Sequence, residues 1–230
     1  MKKTLFYVTM LLCTTCLTAC GDDDNDFQTI TQNLELHMGD TKTLPAGSYS
    51  STSTSNPFVA TVSQSSVIIP QHVGKAVINA VNPNFRYIYN ITVVPSRTTF
   101  TDLGGFLGKT EREIKNMANL RNKTSNGRDS LYYPILNEDQ IAIRYNSEGK
   151  MYYGMLYFNT DVTSRITEQL EEYYQEWKSE NGYTIYIDAT SYTDASIVVA
   201  RKLINGMDRL LYLSPETYDL IGDLSDLFGQ

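Results

Sequence analysis

Ser55-Asn56-Pro57-Phe58-Val59-Ala60-Thr61-Val62, followed by Val73-Gly74-Lys75-Ala76-Val77-Ile78-Asn79-Ala80, decides how the N-terminal part of this chain folds. Both runs are built from Val, Ile, Thr and Ala, carry few charges and lack a helical period, which is the composition of short strands on a half-buried surface.

Working outward, the same composition runs from residue 28 to residue 95, with strands expected at 34–36, 41–44, 59–62, 67–69, 76–78 and 87–94. In the last of these Ile88, Asn90 and Thr92 alternate with Tyr89, Ile91 and Val93. Many short strands separated by turn residues point to a sandwich. The two quoted runs, in this order, resemble the Ser-Asn-Pro-x-Val-Ala-x-Val and Gly-x-Ala strands of bacterial immunoglobulin-like group 2 domains. That resemblance implies an all-β Ig-like sandwich over residues 28–95, acting as a spacer or adhesive module and implying no ligand by itself. The family's tryptophan ahead of Ser-Asn is missing, and Tyr49 with a Ser/Thr tract stands in its region. His37 and His72, the only histidines, lack neighbouring carboxylates or cysteines at metal-ligand spacing and read as exposed, ordinary residues.

Residues 1–19 have the form of a signal peptide. Lys2 and Lys3 precede an apolar run over 5–12, far shorter than the roughly 20 residues that span a bilayer. Leu17-Thr18-Ala19-Cys20 resembles the bacterial lipobox, which implies cleavage before Cys20 and acylation of its thiol. Several acyl chains hold a protein stably on a membrane where one does not. Residues 20–27 form an acidic tether, and Asp22, Asp23, Asp24 and Asp26 resemble the surface-export signal of Bacteroidota-type lipoproteins. They also fit a plain solvated terminus, and they lack the Gly turn and distal Glu of a calcium loop.

All three cysteines lie at or before the expected cleavage point, so thiol catalysis, disulfides and cysteine metal sites are excluded from the mature chain. Loss of Lys2 and Lys3 takes the net charge from -7 to -9, which disfavours nucleic acid and anionic lipid as partners. No cofactor is implied.

Residues 96–230 read as an α+β domain, an antiparallel sheet with helices on one face. Thr110-Glu111-Arg112-Glu113 is a capping box opening a short helix to about residue 120. A loop is expected over 122–129, a strand over 131–136, a hairpin through Asn146-Ser147-Glu148-Gly149, and a long helix over 162–178, capped by Asp161 and stopped by Asn181-Gly182. Asn205-Gly206 marks a second hairpin, and Ser214-Pro215 starts a final helix. The Gly108-Lys109-Thr110 opening and Tyr-rich hairpin loosely resemble the α+β module that follows such Ig-like domains in surface lipoproteins, which carries no chemistry to transfer.

No catalytic constellation emerges. Gly104-Gly105-Phe106-Leu107-Gly108-Lys109-Thr110 is one residue short of a phosphate-binding loop and no strand precedes it. Glu168, Glu171, Glu172 and Glu176 read as a solvated helix face. Asp129-Ser130-Leu131 matches a three-residue O-glycosylation acceptor, with Ser130 expected in a loop, though a plain turn explains it as well. Tyr132-Tyr133 and Tyr152-Tyr153 place adjacent tyrosines on strands, one of each pair expected on either face; they read as a contact surface for a glycan or protein, or as core beneath helices. The expectation is a surface lipoprotein, held in the outer membrane by acyl chains, that acts by binding. Its rivals are a glycan-processing accessory enzyme and a structural subunit of an envelope assembly.

Overall fold

The computed structural model describes residues 28–118, 120, 122–125, 128–132, 136, 138–159 and 162–228. The signal peptide, Cys20, Asp22, Asp23, Asp24 and Asp26, and also Tyr133 and Asp161, lie outside the described residues. Strand outweighs helix in the described chain and lies in three sheets.

The N-terminal unit contains β1 (Gln28–His37), β2 (Lys42–Thr43), β3 (Ser51–Thr54), β4 (Ala60–Val62), β5 (Val67–Pro70), β6 (Gly74–Val81) and β7 (Phe85–Val94). They form a four-stranded sheet, β1-β7-β6-β3, and a three-stranded sheet, β2-β5-β4. Both sheets contribute to one core of Leu36, Phe58, Ile68, Ile78, Tyr89 and Ile91. The alternation in β7 holds, with Tyr89, Ile91 and Val93 inward. Strand β1 is longer than its apolar residues announce because it pairs in parallel with β7 along its whole length. The Ser/Thr tract is the unexpected strand β3, hydrogen-bonded to β6. Gly74 begins β6 at φ +149°, where a Cβ would come within 2.8 Å of Val59 Cγ2. His72 is half-buried rather than exposed: its ring stacks on Phe58 with centroids 3.9 Å apart, and its Nδ1 lies 2.8 Å from the Phe58 carbonyl oxygen.

The C-terminal unit runs α1 (Glu111–Ala118), β8 (Asn122–Ser125), β9 (Asp129–Tyr132), β10 (Gln140–Tyr145), β11 (Met151–Tyr157), α2 (Thr163–Tyr173), β12 (Gln175–Glu180), β13 (Tyr183–Ile187), β14 (Val198–Ile204), β15 (Met207–Leu213), α3 (Pro215–Ile221) and α4 (Ser225–Phe228). Its eight strands make one antiparallel sheet, ordered β12-β13-β14-β15-β11-β10-β9-β8. The capping box forms: Thr110 N–H donates to Glu113 Oε2 at 2.8 Å, and Glu113 N–H donates back to Thr110 Oγ1.

Several expectations are corrected. The helices lie on both faces of the sheet. Ile114 of α1 and Ile166 and Leu170 of α2 pack with Val199, Leu210 and Tyr212, whereas Leu224 and Phe228, in and beside α4, pack with Val198, Leu211 and Leu213. Strands apolar on both alternate sets of residues require cover on both sides. The long helix expected over 162–178 ends at Tyr173, and Gln175–Glu180 is an edge strand paired with β13. Asn181 and Gly182, at φ 53° and 77°, form the hairpin turn rather than a helix stop. Pairing with β13 outweighs the helical leaning of Gln, Glu and Lys. Strand β8 occupies part of the expected loop, and β9 starts earlier than expected.

Helix α2 is held to the sheet and to the first unit by polar contacts. Arg201 and Asp208 form a bidentate pair at 2.6 and 3.2 Å beneath it, with Arg201 also donating to Thr167 Oγ1 and the Thr163 carbonyl. Buried Gln169 accepts from the N–H groups of Thr99 and Phe100 and donates to the Phe100 carbonyl, as a strand neighbour would. Glu172 receives the N–H of Ser96 on its carboxylate and that of Val73 on its backbone carbonyl.

Candidate functional site

The β12–β13 hairpin builds the most exposed aromatic group of the described residues. Glu176 pairs with Tyr186 and Lys178 with Ile185, so Trp177 is the extra residue of a β-bulge. A bulge bends the strand and re-aims its side chains. Trp177, 37% exposed, stacks on Tyr192 with centroids 4.3 Å apart and meets the edge of Tyr218 of α3 at 6.3 Å. The Lys178 ammonium sits 4.4 Å from the Trp177 ring centre. Two rings stacked at that distance leave no space for an ammonium between them, so Lys178 covers the other face of the indole. Lys178 also pairs with Glu180 at 2.5 Å, and Glu180 accepts from Tyr218 Oη at 3.2 Å. Tyr192 Oη donates to Asp219 at 2.6 Å. Burial and the bond to Asp219 push the Tyr192 phenol well above its ordinary range.

Beside this cluster an open groove of about 550 Å³ runs between β12–β14 and the α3–α4 connection, within the size range of small-ligand sites. Glu180 and Asn181 line it from the hairpin turn, Tyr183, Ile185 and Lys202 from the sheet, and Tyr218 and Asp223 from the helical side. Tyr183 and Lys202 are cross-strand neighbours, and the Lys202 ammonium donates to Tyr183 Oη at 3.0 Å while lying 4.4 Å from that ring's centre. The lining mixes acceptors, donors and rings, and only Ile185 and Leu224 are aliphatic.

Both carboxylates of the groove are held below their ordinary range, Glu180 by its bond to Lys178 and Asp223 by the backbone N–H of Ser225. Glycoside hydrolysis pairs an ionised carboxylate with a carboxyl whose pKa is raised, whereas both shifts here are downward. Among the described residues the one carboxyl pushed upward, Asp102, is raised by desolvation while accepting from Tyr174 Oη at 2.5 Å. Its partners Tyr174 and Tyr212 belong to the core on the opposite face of the sheet.

The residues singled out from sequence fall elsewhere. Ser130 is in β9, not a loop, and only 1% exposed, 3.1 Å from Ser125 Oγ, so the folded chain does not present it to a transferase. Tyr132 is wholly buried with its hydroxyl 2.6 Å from that of Tyr145. It is core, not contact surface. Tyr152 and Tyr153 do not point to opposite faces: Tyr152 is the extra residue of a second bulge, and the two half-buried rings approach to 5.8 Å. Sequence reading missed Trp177, Tyr192, Tyr218 and Lys202. The available signal was Asn181-Gly182 read as a hairpin turn, which would have put the only tryptophan on an edge strand.

Among the described residues no three His, Cys, Asp or Glu side chains cluster as metal ligands, and no helix is long and apolar enough to cross a membrane. No protein-family model matches the chain, and no curated protein matches it.

Proposed function

We propose that this chain is a lipid-anchored binding module of the bacterial surface whose C-terminal unit takes a saccharide in the groove between β12–β14 and the α3–α4 connection. In this reading the N-terminal unit is an Ig-like stalk, supported by its two sheets around one core and by the two sequence motifs on β4 and β6. The C-terminal unit is an α+β module. Cys20 carries the acyl chains, and Asp22, Asp23, Asp24 and Asp26 direct export.

The observation that carries the binding reading is the groove itself, polar over most of its lining and walled by Tyr183 and Tyr218, with Trp177 against Tyr218. A sugar ring offers hydroxyls to such acceptors and donors and C–H faces to the rings. A peptide strand would need an open sheet edge and apolar pockets; the groove meets the open-edged strand β12 only at Glu180, its last residue, and β13 and β14 beneath it are paired on both sides.

Calorimetric titration of the intact protein with a panel of neutral and acidic oligosaccharides tests the reading. Binding is expected for at least one class, weakened about tenfold by Tyr218→Ala, as loss of a ring contact worth about 1.4 kcal/mol implies. Absence of heat across the panel, or full affinity in Y218A, refutes it. The address is tested separately by protease shaving of intact cells: the native chain is cut, and the variant with the four aspartates changed to alanine is protected.

A further inference from the structure

We infer that the saccharide bound in this groove carries a carboxylate, a uronic acid type of sugar, and that Lys202 receives it; the inference rests on the saccharide reading above. Lys202 and Arg209 stand directly opposite each other on β14 and β15 and therefore share a sheet face. Like charges in that position destabilise a sheet. Neither forms an ion pair with a carboxylate among the described residues. Each is instead laid over a ring, Lys202 over Tyr183 at 4.4 Å and Arg209 over Tyr157 at 5.0 Å. Arg209 spends Nη1 on the carbonyls of Phe158 and Asp208. Lys202 makes one hydrogen bond, to Tyr183 Oη, of the three an ammonium can donate.

Only Lys202 of the two lines the groove. The acids that share the groove do not neutralise it by contact: Glu180 is bound to Lys178 and Tyr218, and Asp223 accepts the Ser225 N–H at 2.8 Å. An anion on the ligand therefore meets a cation with open donors and Arg209 behind it. A single negative charge suits the place better than a phosphate dianion, because Lys202 is the one cation lining the groove among the described residues and has to serve the whole charge of the ligand beside Glu180 and Asp223. A carboxylate on a sugar ring supplies that charge together with the hydroxyls the rest of the lining can bond.

The experiment titrates the intact protein with oligomers of galacturonate, glucuronate and mannuronate and with their methyl esters, which keep the ring and remove the charge. Calorimetry gives the affinity, and the emission of Trp177, the only tryptophan, gives the location through Tyr218. At least one acid is expected to bind about tenfold tighter than its ester, the gain of one charge-assisted hydrogen bond. In Lys202→Met the acid and the ester are expected to bind alike, and Lys202→Arg restores the preference; unchanged circular dichroism in both variants shows that the fold is kept. Equal binding of acids and esters to the native protein, or a preference that survives K202M, overturns the inference and leaves the saccharide reading standing. Binding of no sugar overturns both. Lys202-dependent binding of polyglutamate as tight as that of the uronates would assign the groove to an acidic peptide instead.

Discussion

Replacing Arg201 by methionine isolates the contact that holds α2 to the sheet. The side chains of Arg201 and Asp208 are 9% and 1% exposed, so solvent screens neither charge and the discount that applies to surface pairs does not apply here. R201M leaves the Asp208 carboxylate with the Thr163 hydroxyl at 2.8 Å as its remaining side-chain donor. It also removes the guanidinium bonds to Thr167 Oγ1 and to the Thr163 carbonyl in the first turn of α2. Removing one partner of a buried pair costs about 3–5 kcal/mol. With a urea dependence of about 2 kcal/mol per molar, the midpoint should fall by about 2 M. Urea unfolding followed by Trp177 emission reads the C-terminal unit directly, because the only tryptophan lies in its edge strand. The double variant R201M/D208L removes both charges and should recover most of the loss, since an apolar pair of similar volume is often as stable as the ion pair. A deficit of about 1 kcal/mol should remain for the lost hydrogen bond between Thr163 and Asp208. An R201M cost under about 1 kcal/mol, or a double variant no more stable than R201M, would refute the claim that charge burial makes this contact costly to break.

Three further outcomes follow from the same reasoning. Burial lowers the His72 pKa from 6.5, so the unfolded chain binds more protons near that value; the stability His72 contributes is complete above pH 6.5 and is lost as the pH falls through the folded value. The melting temperature of the N-terminal unit should therefore drop more between pH 7 and pH 5 in the native protein than in His72→Phe, and identical slopes would contradict the assignment. Asp102 has the opposite sign: desolvation raises its folded pKa above 3.8, so its contribution is greatest below 3.8 and declines as the pH rises through the folded value. Asp102→Asn, which keeps an acceptor for Tyr174, should gain stability relative to the native chain between pH 3 and pH 7, and a loss at pH 7 would count against it. Ser214 caps α3 by accepting from Thr217 N–H at 3.2 Å; Ser214→Ala should cost about 1 kcal/mol in calorimetry, and no change would mean the cap is idle.

Local chemistry made several features readable in advance. The capping box at Thr110, the Ser214-Pro215 helix start and the Asn205-Gly206 hairpin each need only a few consecutive residues, and all three form. The alternation of β7 was legible because one face is buried. Tyr132 and Ser130 were misplaced because nothing in Asp129-Ser130-Leu131-Tyr132 says that β8 will pair on one side and β10 on the other. None of the groove was legible, since its walls come from β12, β13, β14, α3 and the turn beyond it.

Neighbours along the chain set the turns, the caps and the strand-forming composition, and these could be read from the residues in order. Tertiary structure alone decided that Gln175–Glu180 leaves the helix for the sheet edge and that Trp177 bulges out toward Tyr192 and Tyr218. It also decided that Lys202 faces Arg209 and that neither is ion-paired among the described residues. The physical reason is that propensity differences are tenths of a kcal/mol per residue, whereas pairing a strand and burying a sheet face act across many residues distant in sequence and prevail wherever the two conflict.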